Sequence, residues 1–212
     1  GALPIELEEI RSQIVGAKLG ERAIETSLIA GLIGFVALII FLIVLYRVPG
    51  VAASIALIIY VGLMVISLNL FNVTLTLPGI AGIILSIGMA VDANVIIFSR
   101  IREEMAIGKT VRSAIKSGFK KARSAIIDGN VTTLIAAVVL YLRGSGTVKG
   151  FAMTLGIGIV LSMITAMFIT QFILKALYEI GFQSEGCVGK IGKGVKFDFI
   201  KHAPKFAIVS LV

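Results

Sequence analysis

Tryptophan is absent, and cysteine and histidine occur once each, as Cys187 and His202. A lone cysteine excludes an internal disulfide framework. With a single histidine beside it there is no ligand cluster for zinc or iron, so no metal is expected. Charge is scarce too, at 15% of 212 residues, and acids are fewer than bases, 12 against 20. A soluble domain cannot be built from so little polar surface. What fills the space is hydrophobic: 58% of residues, with a mean hydropathy of +1.04. The composition predicts an all-α integral membrane protein.

A span needs about 20 apolar residues. Five are legible: Ser27 to Tyr46, Val51 to Phe71, Leu77 to Ser99, Ser124 to Leu142, and Phe151 to about Leu174. Only Arg47-Val48-Pro49-Gly50 separates the first two, a tight turn in which proline and glycine break the helix. Pro78 sits in the first turn of the third span, where its missing N–H costs little.

Lysine and arginine mark the cytoplasmic side. With the N-terminus outside, the inner segments are Arg47, residues 100–123 and everything after Leu174. They carry 1, 8 and 6 basic residues, against 3, 0 and 2 in the outer segments. The bias predicts an extracytoplasmic N-terminus and a cytoplasmic C-terminal tail. Residues 1–26 read as the returning end of an outer domain, residues 27–178 as the five-span domain, and residues 179–212 as a cytoplasmic linker. From Thr110, Val111, Ile115, Phe119 and Ala122 fall at helical spacing among basic residues. That pattern fits an amphipathic helix on anionic lipid, or a plain positive-inside loop. The triplet Gly108-Lys109-Thr110 resembles a phosphate loop, but Glu103 stands where that motif requires glycine. No nucleotide or nucleic-acid partner is expected.

Membrane helices associate where small side chains let their backbones approach. The fifth span has such a row: Gly150, Thr154, Gly158, Ser162, Ala166 and Thr170. The third has a shorter one: Gly82, Ser86, Ala90 and Asn94. The rows predict two closely packed central helices.

The third span also carries an acid. Asp92 lies eight residues in from Arg100, roughly 12 Å at the helical rise. Thr132 lies nine residues in from Arg123, roughly 13 Å, and Asp128, Asn130 and Thr133 lie near the same layer. Asp128 and Thr132 share a face at i, i+4, and Asn130 and Thr133 a neighbouring one. Gly88, one turn before Asp92, leaves space beside the carboxyl. An aspartate in mid-membrane costs about 3 kcal/mol on insertion scales. Low-dielectric surroundings favour its neutral form. Such a group can carry a proton. It can also stay protonated and only hydrogen-bond Thr132 or Asn94.

The stretches Leu77 to Glu104 (LPGIAGIILSIGMAVDANVIIFSRIREE) and Asp128 to Ile159 (DGNVTTLIAAVVLYLRGSGTVKGFAMTLGIGI), with the leading GALPIEL, resemble the SecD family of the bacterial Sec translocase. The resemblance runs from Gly1 to about Gly181. It implies a resistance–nodulation–division (RND) type helix bundle, a half-unit whose first span and outer domain would precede Gly1. Lys196 to Val212 resembles the start of SecF, as in fused SecD/SecF chains. The resemblance further implies a bacterial cytoplasmic-membrane protein, not an enzyme, that uses the proton gradient to help draw secreted polypeptide through the Sec channel. Its partners would be the SecF half, the Sec channel complex, the moving polypeptide and membrane lipid. Asp92 would be the relay acid, with Asp128, Asn130, Thr132, Thr133 and Asn94 around it, and no cofactor beyond the gradient. Two other readings share these features: an RND-type exporter of lipids or small hydrophobic compounds, and a passive translocon scaffold.

Overall fold

A computed structural model describes residues 17–180, with side chains described from Arg22 onward. The leading Gly1 to Glu6 stretch, Cys187, His202 and the tail from Lys196 to Val212 lie outside the described residues.

Among the described residues the chain is helical, without strands. The helices are α1 (Ala17–Tyr46), α2 (Val48–Leu70), α3 (Leu77–Ala106), α4 (Val111–Arg143), α5 (Thr147–Ile164) and α6 (Thr170–Glu179). A π-helical turn, Thr165–Ile169, joins α5 to α6 without a loop, so the two form one rod. Five rods are thus long and apolar enough to cross a membrane, and this is an integral membrane protein.

The turns follow local chemistry. Between α1 and α2 the backbone of Gly50 lies against the Leu42 carbonyl, where no Cβ fits. Arg102 of α3 closes this corner: its guanidinium donates to the Leu45 carbonyl at 2.7 Å and lies 4.5 Å from the Tyr46 ring centre. It thereby satisfies a carbonyl that the end of α1 would leave unpaired. Thr76 caps α3, its hydroxyl accepting from the Gly79 N–H at 3.2 Å, and Pro78 occupies the first turn. Gly108 turns the chain between α3 and α4 with φ +90, a conformation that favours glycine.

The fourth span differs from the sequence reading. The helix starts at Val111, not Ser124, and runs unbroken to Arg143. Val111, Ala114, Ile115, Phe119 and Ala122 are buried in the main hydrophobic core, with Ile101 and Met105 of α3. The stripe therefore faces protein rather than the lipid surface. Gly118 explains the closeness: a Cβ there would meet Ile101 at 2.5 Å from Cγ1 and 2.9 Å from the backbone nitrogen. The charged residues that made 111–123 look like a separate segment lie on the opposite side of the same helix.

The hairpin between α3 and α4 is clasped electrostatically. Glu104, only 1% exposed, pairs with Lys109 and Lys121, each at 2.5 Å. Its cover is the two lysines themselves rather than a deep core. Glu104 lies past the apolar stretch of α3, among Arg100, Arg102 and Glu103. Hydrogen bonds from Lys109 and Lys121 hold its carboxyl below the ordinary value of 4.5. A lowered acid stabilises the fold above the unfolded value, and the contribution disappears as pH falls through the folded one. Melting in detergent should show Glu104→Gln less stable than the parent at pH 7. The gap should close as pH falls from 4.5 into the folded titration range. A constant gap across that range would mean that the clasp acts by shape and not by charge.

Candidate functional site: the α3–α5 contact and the intramembrane acid

The two small-residue rows meet. Without its hydrogen side chain, Gly82 would collide with Thr154, whose hydroxyl donates to the Phe151 carbonyl. Gly158 lies against Ser86, with the Ser86 hydroxyl 2.5 Å and the Tyr60 hydroxyl 3.0 Å from where its Cβ would be. A step of four residues on α3 matches a step of four on α5, so the helices run parallel. Ser86, Ala90, Thr154, Ser162 and Ala166 are buried, and Gly150 abuts the Thr76 hydroxyl at the N-terminal ends of α3 and α5. Tyr60 of α2 donates to Ser86 at 2.8 Å, which draws α2 into the same contact.

Toward the C-terminal ends of α3 and α5 the row changes character. Asn94 is buried and its carbonyl oxygen accepts from the Thr170 hydroxyl at 3.0 Å, while its amide donates to the Ala90 carbonyl at 3.2 Å. Thr170 is the first residue after the π turn. Its hydroxyl also lies 3.3 Å from the Thr165 carbonyl. The Thr165 hydroxyl is buried without a hydrogen-bond partner among the described residues. A π turn adds a residue to the helical circuit and is frequent at functional sites. Here it brings Thr170 against Asn94. The four-residue spacing pointed to Thr170, but nothing in the sequence signalled the π turn.

Asp92 faces the other way. Two residues apart on an α-helix means about 200° of rotation, so Asn94 points inward and Asp92 outward. Asp92 is exposed on the described bundle. It lies at the edge of a groove of about 500 Å³ between α1 and α3, lined by Leu38, Phe41 and Leu45. Gly88 also lines it and has open space where a Cβ would be.

The Gly118–Ile101 contact sets the antiparallel register of α3 and α4. Nine residues toward the start of α3 and nine toward the end of α4, it places Asp92 at the depth of Ile127, the residue before Asp128. Asp128 is exposed and accepts from Ser124 at 3.2 Å. Thr132 and Thr133 donate to the Asp128 and Gly129 carbonyls, and Asn130 to the Ile126 carbonyl. Among the described residues, no hydrogen bond joins Asp92 to this group or to Asn94. The layer thus holds a closed pair, Asn94 with Thr170, and three exposed groups, Asp92 on α3 and Asp128 and Thr132 on α4, that share a depth. The described residues contain no group of histidine, cysteine and acids that could hold a metal.

The family described as protein export membrane protein SecD/SecF, C-terminal, matches residues 2–180. The chain is 51% identical over 177 residues to the protein translocase subunit SecD of Acidaminococcus fermentans, covering 84% of this chain and 42% of that one. It is 46% identical over 179 residues to protein translocase subunit SecDF of Bacillus subtilis, covering 84% and 24%. The crystal structure of SecDF from Thermus thermophilus, a translocon-associated membrane protein, superposes with a TM-score of 0.81 at 35% identity, over 93% of this chain and 27% of that one. The chain spans less than half the length of each of these three proteins.

Proposed function

This chain belongs to the SecD/SecF family of protein export membrane proteins, and from that premise we propose that it is part of an accessory translocase subunit that uses the proton gradient to promote polypeptide export through the Sec channel. The observation that carries the reading is the outward-facing Asp92. Ionisable groups inside membranes face a bundle interior or a water-filled cavity, not lipid. An acid roughly 12 Å deep on an exposed face of this bundle therefore belongs under another protein surface. The SecF half is the partner of that description, and Asp128 and Thr132, also exposed, line the same layer. A carboxyl at such a junction takes up and releases a proton as water reaches it from either side. The two charge states favour two packings of the halves. One proton moving through 100 mV supplies about 2.3 kcal/mol, enough to shift such a balance. No nucleotide is needed.

The test uses inverted bacterial inner-membrane vesicles depleted of the full-length protein and then resupplied with it. Uptake of a secreted polypeptide should rise on resupply, and a protonophore should remove the gain. No gain on resupply would sink the translocase role and leave the exporter reading. A gain that survives the protonophore would sink proton drive and leave the scaffold.

The proposed orientation, with the N-terminus extracytoplasmic in the bacterial cytoplasmic membrane, rests on the fifteen-to-five basic asymmetry. Ser113 and Ser145 are both exposed. Cysteines introduced there should be labelled by impermeant maleimide from opposite sides, Ser113→Cys from the cytoplasmic one. Labelling of both from one side would refute the orientation.

A further inference from the structure

At its N-terminal end α4 meets α6 over a cavity of about 510 Å³. Arg112 and Lys116, one turn apart, line it from α4, and Lys175 from α6. Gln171 and Tyr178 add an amide and a phenol, and Glu179 is the one acid in the lining. Ile115, buried in the core, forms the floor. Among the described residues, none of the three cations has a carboxylate within ion-pair distance. Glu104, the nearest buried acid of this hairpin, is already engaged by Lys109 and Lys121. Glu179 lies four residues after Lys175, the weaker direction for a helical ion pair, and no such pair forms. The cavity sits where α4 and α6 reach the polar ends of their spans. Three cations without a carboxylate partner among the described residues, two neutral hydrogen-bonding groups and an apolar floor describe a receptor for a singly charged phosphodiester with a hydrocarbon continuation. Basic pockets between membrane helices on the cytoplasmic side take headgroups of this kind.

We propose that this cavity binds the phosphodiester of an anionic phospholipid, such as phosphatidylglycerol, and so links α4 to α6 through the lipid. Placing that lipid in the inner leaflet rests on the orientation proposed above. Binding itself does not, because it is read in detergent, whereas leaflet side is read by the labelling at Ser113 and Ser145. Arg112 and Lys116 supply the paired donors, and Lys175 closes the ring from α6. Glu179 weakens the site by its charge. The consequence is mechanical. Thr170, which holds Asn94, lies five residues before Lys175 on the same helix, so an occupied cavity fixes α6 next to the π turn.

The full-length protein, purified in detergent at fixed ionic strength, is titrated with short-chain phosphatidylglycerol, short-chain phosphatidylcholine and soluble glycerol phosphate. Retained lipid is measured by native mass spectrometry and Tm by tryptophan-free dye melting. Phosphatidylglycerol should be retained and should raise Tm, and the other two should not. Retention should fall at least tenfold in the triple variant Arg112→Gln, Lys116→Gln, Lys175→Gln. It should stay within twofold of the parent in Lys120→Gln with Arg123→Gln, which removes charge from the same helix outside the cavity. Glu179→Gln should retain more lipid than the parent, a gain that no folding defect produces. Equal losses in the triple and control variants would reduce the effect to diffuse surface charge and overturn the proposal. An equal Tm rise with glycerol phosphate would assign the cavity to a soluble anion and overturn the lipid.

Discussion

Asp92→Asn should leave the protein in the membrane, assembled and as abundant as the parent, yet abolish its gradient-dependent stimulation of export. The variant keeps the size of the side chain and its capacity to hydrogen-bond, and loses only the ability to titrate. Asp92 makes no hydrogen bond among the described residues and packs into no core. Its replacement thus breaks nothing that holds α3 in place. A neutral amide is, if anything, less costly than a carboxylate at that depth. The expected readout in inverted vesicles is uptake equal to the parent without a gradient, and no increase when the gradient is applied. A full response of the variant would make Asp92 a polar contact of the half-unit junction and refute its role as the titrating group. The reverse substitution two residues on, Asn94→Asp, acts on the closed pair and should behave differently. An acid facing the Thr170 hydroxyl and the π turn is buried, so the cost falls on stability, not on gradient response alone.

Gly158→Leu should be the most destabilising single change in the α3–α5 contact. Its Cβ alone would overlap Ser86, and three further carbons would have to pass the Tyr60 hydroxyl. The two backbones cannot separate cheaply, because Thr154 and Gly82 are in contact one turn above and Asn94 and Thr170 below. Overpacking of a tight interior costs about 1–3 kcal/mol. Losing the Tyr60–Ser86 hydrogen bond leaves the buried Tyr60 hydroxyl unpaired, for about 1–3 kcal/mol more. The variant should melt well below the parent in detergent, or fail to accumulate. Gly62→Leu is the control: that glycine is exposed, with nothing within 4 Å of its Cβ position, and its replacement should change Tm little. Similar melting of both variants would show that the close approach at Gly158 contributes nothing to the fold.

The five spans were legible because hydropathy and length are enough to define them, and small residues four apart mark a seam wherever they persist. The register of that seam was not legible. Nothing in Gly82, Ser86 and Gly158 says that Ser86 rather than Gly82 opposes Gly158, since that depends on where the chain turns at Thr76 and Gly146. The fourth helix outruns its apolar stretch for a specific reason. Lys116, Lys120, Lys121 and Arg123 lower the hydropathy of a stretch whose other face, Val111 to Ala122, is core. Averaging along the sequence mixes the two faces. Asp92 and Asn94 were grouped by depth, which sequence separation gives, while their opposite directions follow only from the helical angle between them. The π turn had no local signal.

The attachment of α1 has a mechanical consequence. Its only two fully buried residues in the described part are Leu42 and Tyr46, both near the corner that Arg102 closes. Toward its other end it borders an apolar groove of about 760 Å³ between α1, α2 and α3, and touches α3 through Gly31 and Ile84. Phe35 and Leu38 pack against the core along its middle, so α1 is held most firmly at its root and least toward its start. Thirty residues of helix extend about 45 Å. A tilt of about 10° at the root would sweep the far end by about 8 Å over that length, while the root moves by less than the width of an atom. The groove beside Asp92 lies at the root. A small tilt at the root would, by leverage alone, carry the far end of α1 through a distance comparable to two residues of extended polypeptide.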